Sequence, residues 1–277
     1  SDLANSFLKG EKIMKKFLTV ALAGVLAASM LFTGCSKKAE SKVPDKLIVG
    51  TNAEFPPFEY MNDKKQPEGF DIAMIKEIGK RMGKKVEIKN MEFKSLIGAM
   101  ESDSINAIIA GMTKTEKREK AVDFSDSYYT TNQAIILKKD SKITKLAQLD
   151  GKKIGVQEGT TGDLISSGDK FGDGKKAKVL VKGAKVKRFK KGVDAVMDLK
   201  NGSVDAVVID ELTANEFVKK NAKKLKIVID SAGSEYYCIA LTKGNTAYKE
   251  EVNKQIKAIK EDGTYDKLKA KYIDSKN

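Results

Sequence analysis

The chain has 277 residues, 41% apolar and 32% charged, with a formal net charge of +14. That length supports one large domain or two medium ones around a real core. The absence of histidine excludes histidine catalysis and histidine metal sites, and lysines scattered without interleaved aromatics speak against a nucleic-acid interface.

The N-terminal segment reads as an address. Lys15 and Lys16 form a basic start, residues 17–33 are an uncharged apolar stretch, and Leu31-Phe32-Thr33-Gly34-Cys35 closes it. A short apolar run between a basic start and small residues is a secretory signal and not a spanning helix. The cysteine directly after Gly34 makes this end resemble a bacterial lipobox, with Phe32 where leucine is commonest. That resemblance implies diacylation of Cys35 and a lipid tether to a bilayer. Residues 1–13 precede Met14 and read as an over-extended start. Residues 1–34 are therefore the upstream residues plus a lipoprotein signal peptide, and residues 35–44 a polar tether.

From residue 46 strands and helices alternate. KLIVG (46–50) is a strand, and TNAEFPPFEY (51–60) is a loop stiffened by two prolines and carrying Phe55, Phe58 and Tyr60. FDIAMIKEIGKRMG (70–83) has the apolar stripe of a helix. Residues 86–91 form a strand, 94–102 a helix, and INAIIAGM (105–112) a strand buried on both faces. A short helix lies within 115–124. After Thr131-Asn132-Gln133 a second series begins: strand 134–139, strand 152–157, a glycine-rich turn, helix 192–202, strand 203–211, helix 212–221 and strand 225–230. SEYYCIALT (234–242) leads to helices at 247–261 and 265–271. Such alternation indicates an α/β protein with a largely parallel sheet. The second cysteine, Cys238, reads as an inert buried thiol in an apolar strand.

AMESDSINAIIAG (99–111) and DLKNGSVDAVVID (198–210) share a pattern of helix end, polar turn and buried strand. This makes Gly111 and Asp210 equivalent positions at the carboxyl ends of central strands, where open α/β sheets bind ligands. Polar features collect at those ends. AGMTKTEKRE (110–119) offers Thr113 and Arg118, and an arginine fork grips a carboxylate with charge-assisted bonds. The alternative is a surface arginine beside Glu116 and Glu119. GVQEGTTGD (155–163) presents hydroxyls and backbone N–H groups to an anion, without the lysine and serine or threonine that end a phosphate loop. Asp210 closes a very apolar strand and needs a partner, either an ammonium ligand or, as an N-cap, the next helix. A carboxylate binder beside an ammonium binder complements an amino-acid zwitterion. No nucleophile–base pair is evident.

GTNAEFPPFEY, GFDIAMIKEIGKRMG, AGMTKTEKREKAVDFSDSYY, GVQEGTTG, DAVVIDE and KAIKEDGTYDKLKAKY occur in an order and spacing that resemble the polar amino-acid solute-binding proteins of ABC importers, over roughly residues 46–273. The resemblance to the arginine/lysine/histidine- and glutamine-binding proteins implies two lobes of mixed, mostly parallel sheet joined by two hinge strands. Residues 45–132 and 236–277 would form lobe 1 and residues 133–235 lobe 2. It implies that Arg118 grips the ligand α-carboxylate with the Thr113 hydroxyl and the Thr161 amide. Asp210 and the Gly111 carbonyl would take the α-ammonium, Phe55 and Phe93 would wall the side-chain slot, and Phe58 and Tyr60 would serve packing. Gln157 stands where the family varies with substrate. Asn52 stands where relatives of cationic or amide specificity often carry an acid, with Glu54 as a substitute charge if its loop turns inward.

A polar L-amino acid, arginine/lysine- or glutamine-like, is thus the expected ligand, bound by a monomer without cofactor or metal at the outer face of a bacterial membrane or in the periplasm. An ABC permease and its ATPase are the expected partners, with the membrane reached through the lipid. Rival readings are a cyclohexadienyl-dehydratase-like enzyme, for which Glu158 is the one acid to test, and an extracellular sensor or adhesin. A sensor module of a chemoreceptor or kinase would need a transmembrane helix and signalling domain after residue 277.

Overall fold

The computed structural model of the chain describes residues 41–172, 174–219 and 221–274. The expected signal peptide and Cys35 lie outside the described residues. Among the described residues no helix is long and apolar enough to cross a membrane.

The first strands are β1 (Lys46–Thr51), β2 (Glu54–Phe55), β3 (Glu59–Met61) and β4 (Pro67–Glu68). Helix α1 (Phe70–Arg81) follows, then β5 (Lys85–Asn90), α2 (Leu96–Glu101), β6 (Ala107–Ile108) and the short α3 (Glu116–Glu119). A strand of 17 residues, β7 (Val122–Lys138), carries the chain onward. Next come β8 (Lys153–Gln157), α4 (Thr161–Ser166), a hairpin of β9 (Lys170–Phe171) and β10 (Lys178–Val179), β11 (Lys185–Phe189) and α5 (Gly192–Asn201). The chain closes with β12 (Ala206–Asp210), α6 (Glu211–Lys219), the 18-residue β13 (Leu225–Thr242), α7 (Thr246–Glu261) and α8 (Thr264–Tyr272).

Eight strands form one mixed sheet in the order β11-β8-β12-β7-β13-β6-β1-β5. The outer pairs on each side are parallel: β1 with β5 and β6, and β8 with β11 and β12. The two long antiparallel strands β7 and β13 run through the middle and belong to both sides. Strand β6 pairs with β13 at Ala240–Leu241, while β12 pairs with β7 at 133–136. The β7–β13 register shifts between Asp230 and Ser234, next to the pairs Asn132–Ser234 and Thr131–Glu235. Two half-sheets therefore meet at one irregular crossing.

The buried apolar phase of the strands explains the core. Ile135 and Leu137 pack with Ile154, Val156, Ala206 and Val208, whereas Ile108, Ala110, Cys238 and Ala240 form a cluster under α2. The long β7 corrects the expected pattern: residues 122–133 continue directly into 134–138 as one strand. Strand β11, whose alternating KVKRF is half-exposed, and the small β2-β3-β4 sheet also went unread. Conversely, the expected strand 105–112 is hydrogen-bonded as strand only at Ala107–Ile108.

Gly69 fixes how α1 meets the 51–60 loop. Its φ is +131°, and a Cβ there would lie 2.2 Å from the Phe58 carbonyl oxygen. That close approach lets Phe70 and Asp71 donate backbone hydrogen bonds to Pro57 and Phe58 at 3.1 and 2.9 Å. Gly69→Ala is therefore expected to lower the unfolding free energy by more than about 2 kcal/mol. Urea denaturation measures it; an unchanged midpoint would contradict the geometry.

Candidate ligand-binding site

A small cavity of about 10 Å³ lies between the half-sheets, lined by Phe55, Phe93, Gly111, Arg118, Gln157, Thr161 and Asp210, with Ala110 and Thr160. Of the expected site residues, Asn52 and Thr113 stand behind this lining. The loop after β6 contributes Gly111, the short α3 contributes Arg118, and the end of β12 contributes Asp210. The two motifs that echo one another in sequence thus open onto one space.

Arg118 is buried, which excludes the surface role beside Glu116 and Glu119. It sits in α3, whose N-cap Thr115 accepts from the Arg118 backbone N–H at 3.2 Å. Its guanidinium donates to the Thr113 carbonyl at 2.5 Å and to the Gly159 carbonyl at 3.0 Å, and stacks over Phe93 with 5.4 Å to the ring centroid. Burial lowers its pKa to about 10, against the pull of Glu235 and Asp210, so it remains a cation at neutral pH. No carboxylate among the described residues lies within ion-pair distance of it.

Asp210 is buried and accepts from the Tyr237 hydroxyl at 2.6 Å. Burial, and then the negative charge of Glu235, push it well above the usual carboxylate range. Glu235, on β13, had no role in the sequence reading. Its carboxylate accepts from the hydroxyls of Thr113 and Thr161 and from the Gln133 side-chain amide. Burial raises Glu235 as well, while these hydrogen bonds and Arg118 pull it down.

Phe55 forms part of the cavity wall, whereas Phe58 is core: its ring centroid is 5.0 Å from those of Tyr129 and Tyr237. Asn52 donates to the Met91 carbonyl at 2.8 Å and accepts from Gln157 at 2.8 Å. Gln157 also donates to the Lys190 carbonyl at 3.2 Å, and its Oε1 is buried without a hydrogen-bond partner. Glu54 does not turn inward; it pairs with Lys191 at 2.7 Å. Glu158 pairs with Lys94 at 2.9 Å outside the cavity lining, which leaves the acid named for an enzyme at the rim. With Lys190–Glu92 at 2.6 Å, these pairs link the two half-sheets around the cavity mouth, so the cleft is closed. Cys238 is a buried free thiol pushed up to about 11 by burial, in keeping with an inert role.

Beneath Gly111 lies a fully buried acid pair. The Asp71 carboxylate accepts from the Gly111 N–H and the Tyr128 hydroxyl, both at 2.7 Å, and so holds Gly111 at φ +52°. Burial, and then the charge of the neighbouring Asp71, raise Glu59 well above its ordinary value, which favours its protonated form. The folded protein keeps a proton there that the unfolded chain releases near pH 4.3. Stability from this group is complete below that pH and is lost as pH rises toward the raised value. Glu59→Gln, a permanent mimic of the protonated acid, should therefore match wild type near pH 4 and gain about 1.4 kcal/mol per pH unit above it. Equal urea midpoints at pH 8 would show that Glu59 ionises in the folded protein.

The family model for bacterial extracellular solute-binding proteins, family 3, matches residues 47–275. The arginine-binding extracellular protein ArtP of Bacillus subtilis is 33% identical over 263 residues, covering 94% of this chain and 98% of that protein. The glutamine-binding protein GlnH of an ABC transporter from the same organism is 31% identical over 280 residues, covering 94% and 98%. An ancestral arginine-binding protein solved with arginine is 41% identical with a TM-score of 0.73, covering 84% of this chain and all of that one.

Proposed function

The chain belongs to the bacterial extracellular solute-binding proteins, family 3, and from that premise we propose that it is the lipid-anchored receptor of an ABC amino-acid importer. It captures a polar L-amino acid at the outer face of a bacterial membrane and delivers it to a permease driven by an ATPase. The observation that carries this reading is the pairing of a buried cation, Arg118, with a buried acid, Asp210, on one closed cavity. A buried guanidinium is costly to hold out of water without a counter-charge, and a buried acid is costly to ionise there; a zwitterion answers both. Its α-carboxylate goes to Arg118 and the Thr161 amide, while the Thr113 hydroxyl expected to join them is committed to Glu235 behind the wall; its α-ammonium goes to Asp210 and the Gly111 carbonyl. Phe55 and Phe93 wall the side chain.

Residues 45–132 with 236–277 form one lobe and residues 133–235 the other, joined at the β7–β13 crossing. Arg118 comes from the first lobe and Asp210 from the second. The ligand touches both only when the cleft is shut, and that differential affinity shifts the balance to the closed state. The anchor rests on Gly34-Cys35, and relatives named as extracellular binding proteins support the location.

The unpartnered Gln157 Oε1 favours a side chain that brings an N–H donor, as arginine, lysine and glutamine do. Calorimetry of residues 36–277 against the twenty amino acids should find one tight class of ligand, and Arg118→Ala should weaken it about 100-fold or more. Absence of any amino-acid ligand, or full binding by the alanine variant, would overturn the assignment. Asn52→Asp places a carboxylate beside Gln157 and should shift the ranking toward arginine and lysine. An unchanged ranking would remove Asn52 from the determinants of specificity.

A further inference from the structure

Glu235 sits at the irregular crossing, paired in register with Thr131. Ser234 and Tyr236 on either side are exposed, but the Glu235 side chain is only 1% exposed. A carboxylate is not buried at such cost without partners. Its partners come from three places. Thr113 follows β6 in the first half-sheet, Thr161 opens α4 in the second, and Gln133 lies on β7. The Thr161 hydroxyl lies 2.8 Å from both Glu235 oxygens.

Glu235 and Thr113 do not line the cavity, whereas Thr161 and Arg118 do. The carboxylate therefore stands behind the wall and acts through it. It fixes Thr161 directly. It also fixes Thr113, whose carbonyl accepts from Arg118 at 2.5 Å.

We propose that Glu235 is a positioning residue, an interlobe clasp that joins Thr113 of one lobe to Thr161 of the other and holds the carboxylate-binding wall in its closed geometry. The clasp exists only when the cleft is shut. Hydrogen bonds to one carboxylate from two lobes do not survive their separation, so opening exchanges at least one charge-assisted bond for water. Its effect on ligand rests on the receptor reading given above; the clasp itself rests on the geometry of the crossing.

Stopped-flow binding to the full chain tests it, with L-arginine, L-lysine, L-glutamine and L-histidine as probes. Glu235→Gln should raise koff about 10- to 100-fold and leave kon within about twofold, by the same factor for each amino acid that binds. Thr113→Val should show the same rise in koff, and the double variant should add little beyond either single one. An unchanged koff, additive losses, or tighter binding by Glu235→Gln would overturn the clasp. The last result would mean that Glu235 competes with the ligand carboxylate. A wild-type chain that binds neither these probes nor any other of the twenty amino acids would sink the receptor reading alone. The clasp is then judged by single-molecule energy transfer between dyes at Lys85→Cys and Lys200→Cys, both exposed positions. Glu235→Gln should lower the closed fraction of the ligand-free chain, and equal fractions would overturn it.

Discussion

Arg118 is a cation held out of water whose hydrogen-bond acceptors among the described residues are backbone carbonyls. That arrangement sets the terms for the rest of the structure. A buried guanidinium without a carboxylate at contact distance is unstable unless something else carries the opposite charge into the site. Burial lowers its pKa to about 10. The strand end that carries Asp210 and the half-sheet behind it are organised around the complementary problem, an acid that burial keeps far from ionised. On the proposed reading, an amino-acid zwitterion resolves both at once.

The same logic accounts for the crossing. Two long strands shared by both half-sheets make the connection continuous, so on the proposed reading closure is a bend and not a docking of separate bodies. At the bend the protein places polar side chains instead of apolar ones: Gln133, Glu235, Thr113 and Thr161 are all buried there. An apolar crossing would hold the halves shut regardless of ligand. Polar partners that are satisfied only in one geometry keep the two states close in energy. The ion pairs at the cavity mouth are partly exposed and contribute little each.

Much of this could be read in the chain before its structure. That Arg118, Gly111 and Asp210 share one cavity was legible from their places after buried apolar strands, although Arg118 read equally well as a surface residue and Asp210 as a helix N-cap. Phe55 was separable from Phe58 through the resemblance and not through spacing. Asn52 proved to touch Met91 and Gln157, a contact between segments 105 residues apart that no local pattern encodes. Glu235 escaped because SEYYCIALT reads as a strand with a polar entry. Its signal was the period of two: Gly233, Glu235 and Tyr237 share the inward phase, and a glutamate in that phase is a buried acid. Asp71 was masked by its place in the first turn of a helix, where an acid is expected for the helix dipole alone.

The central claim is that an amino acid bridges Arg118 and Asp210 and thereby shuts the cleft. Small-angle X-ray scattering during a titration with the amino acid that calorimetry identifies joins both halves of that claim in one measurement. The account predicts a radius of gyration that contracts in step with the calorimetric saturation curve, and no contraction with Arg118→Ala. Saturable binding at an unchanged radius of gyration would contradict it.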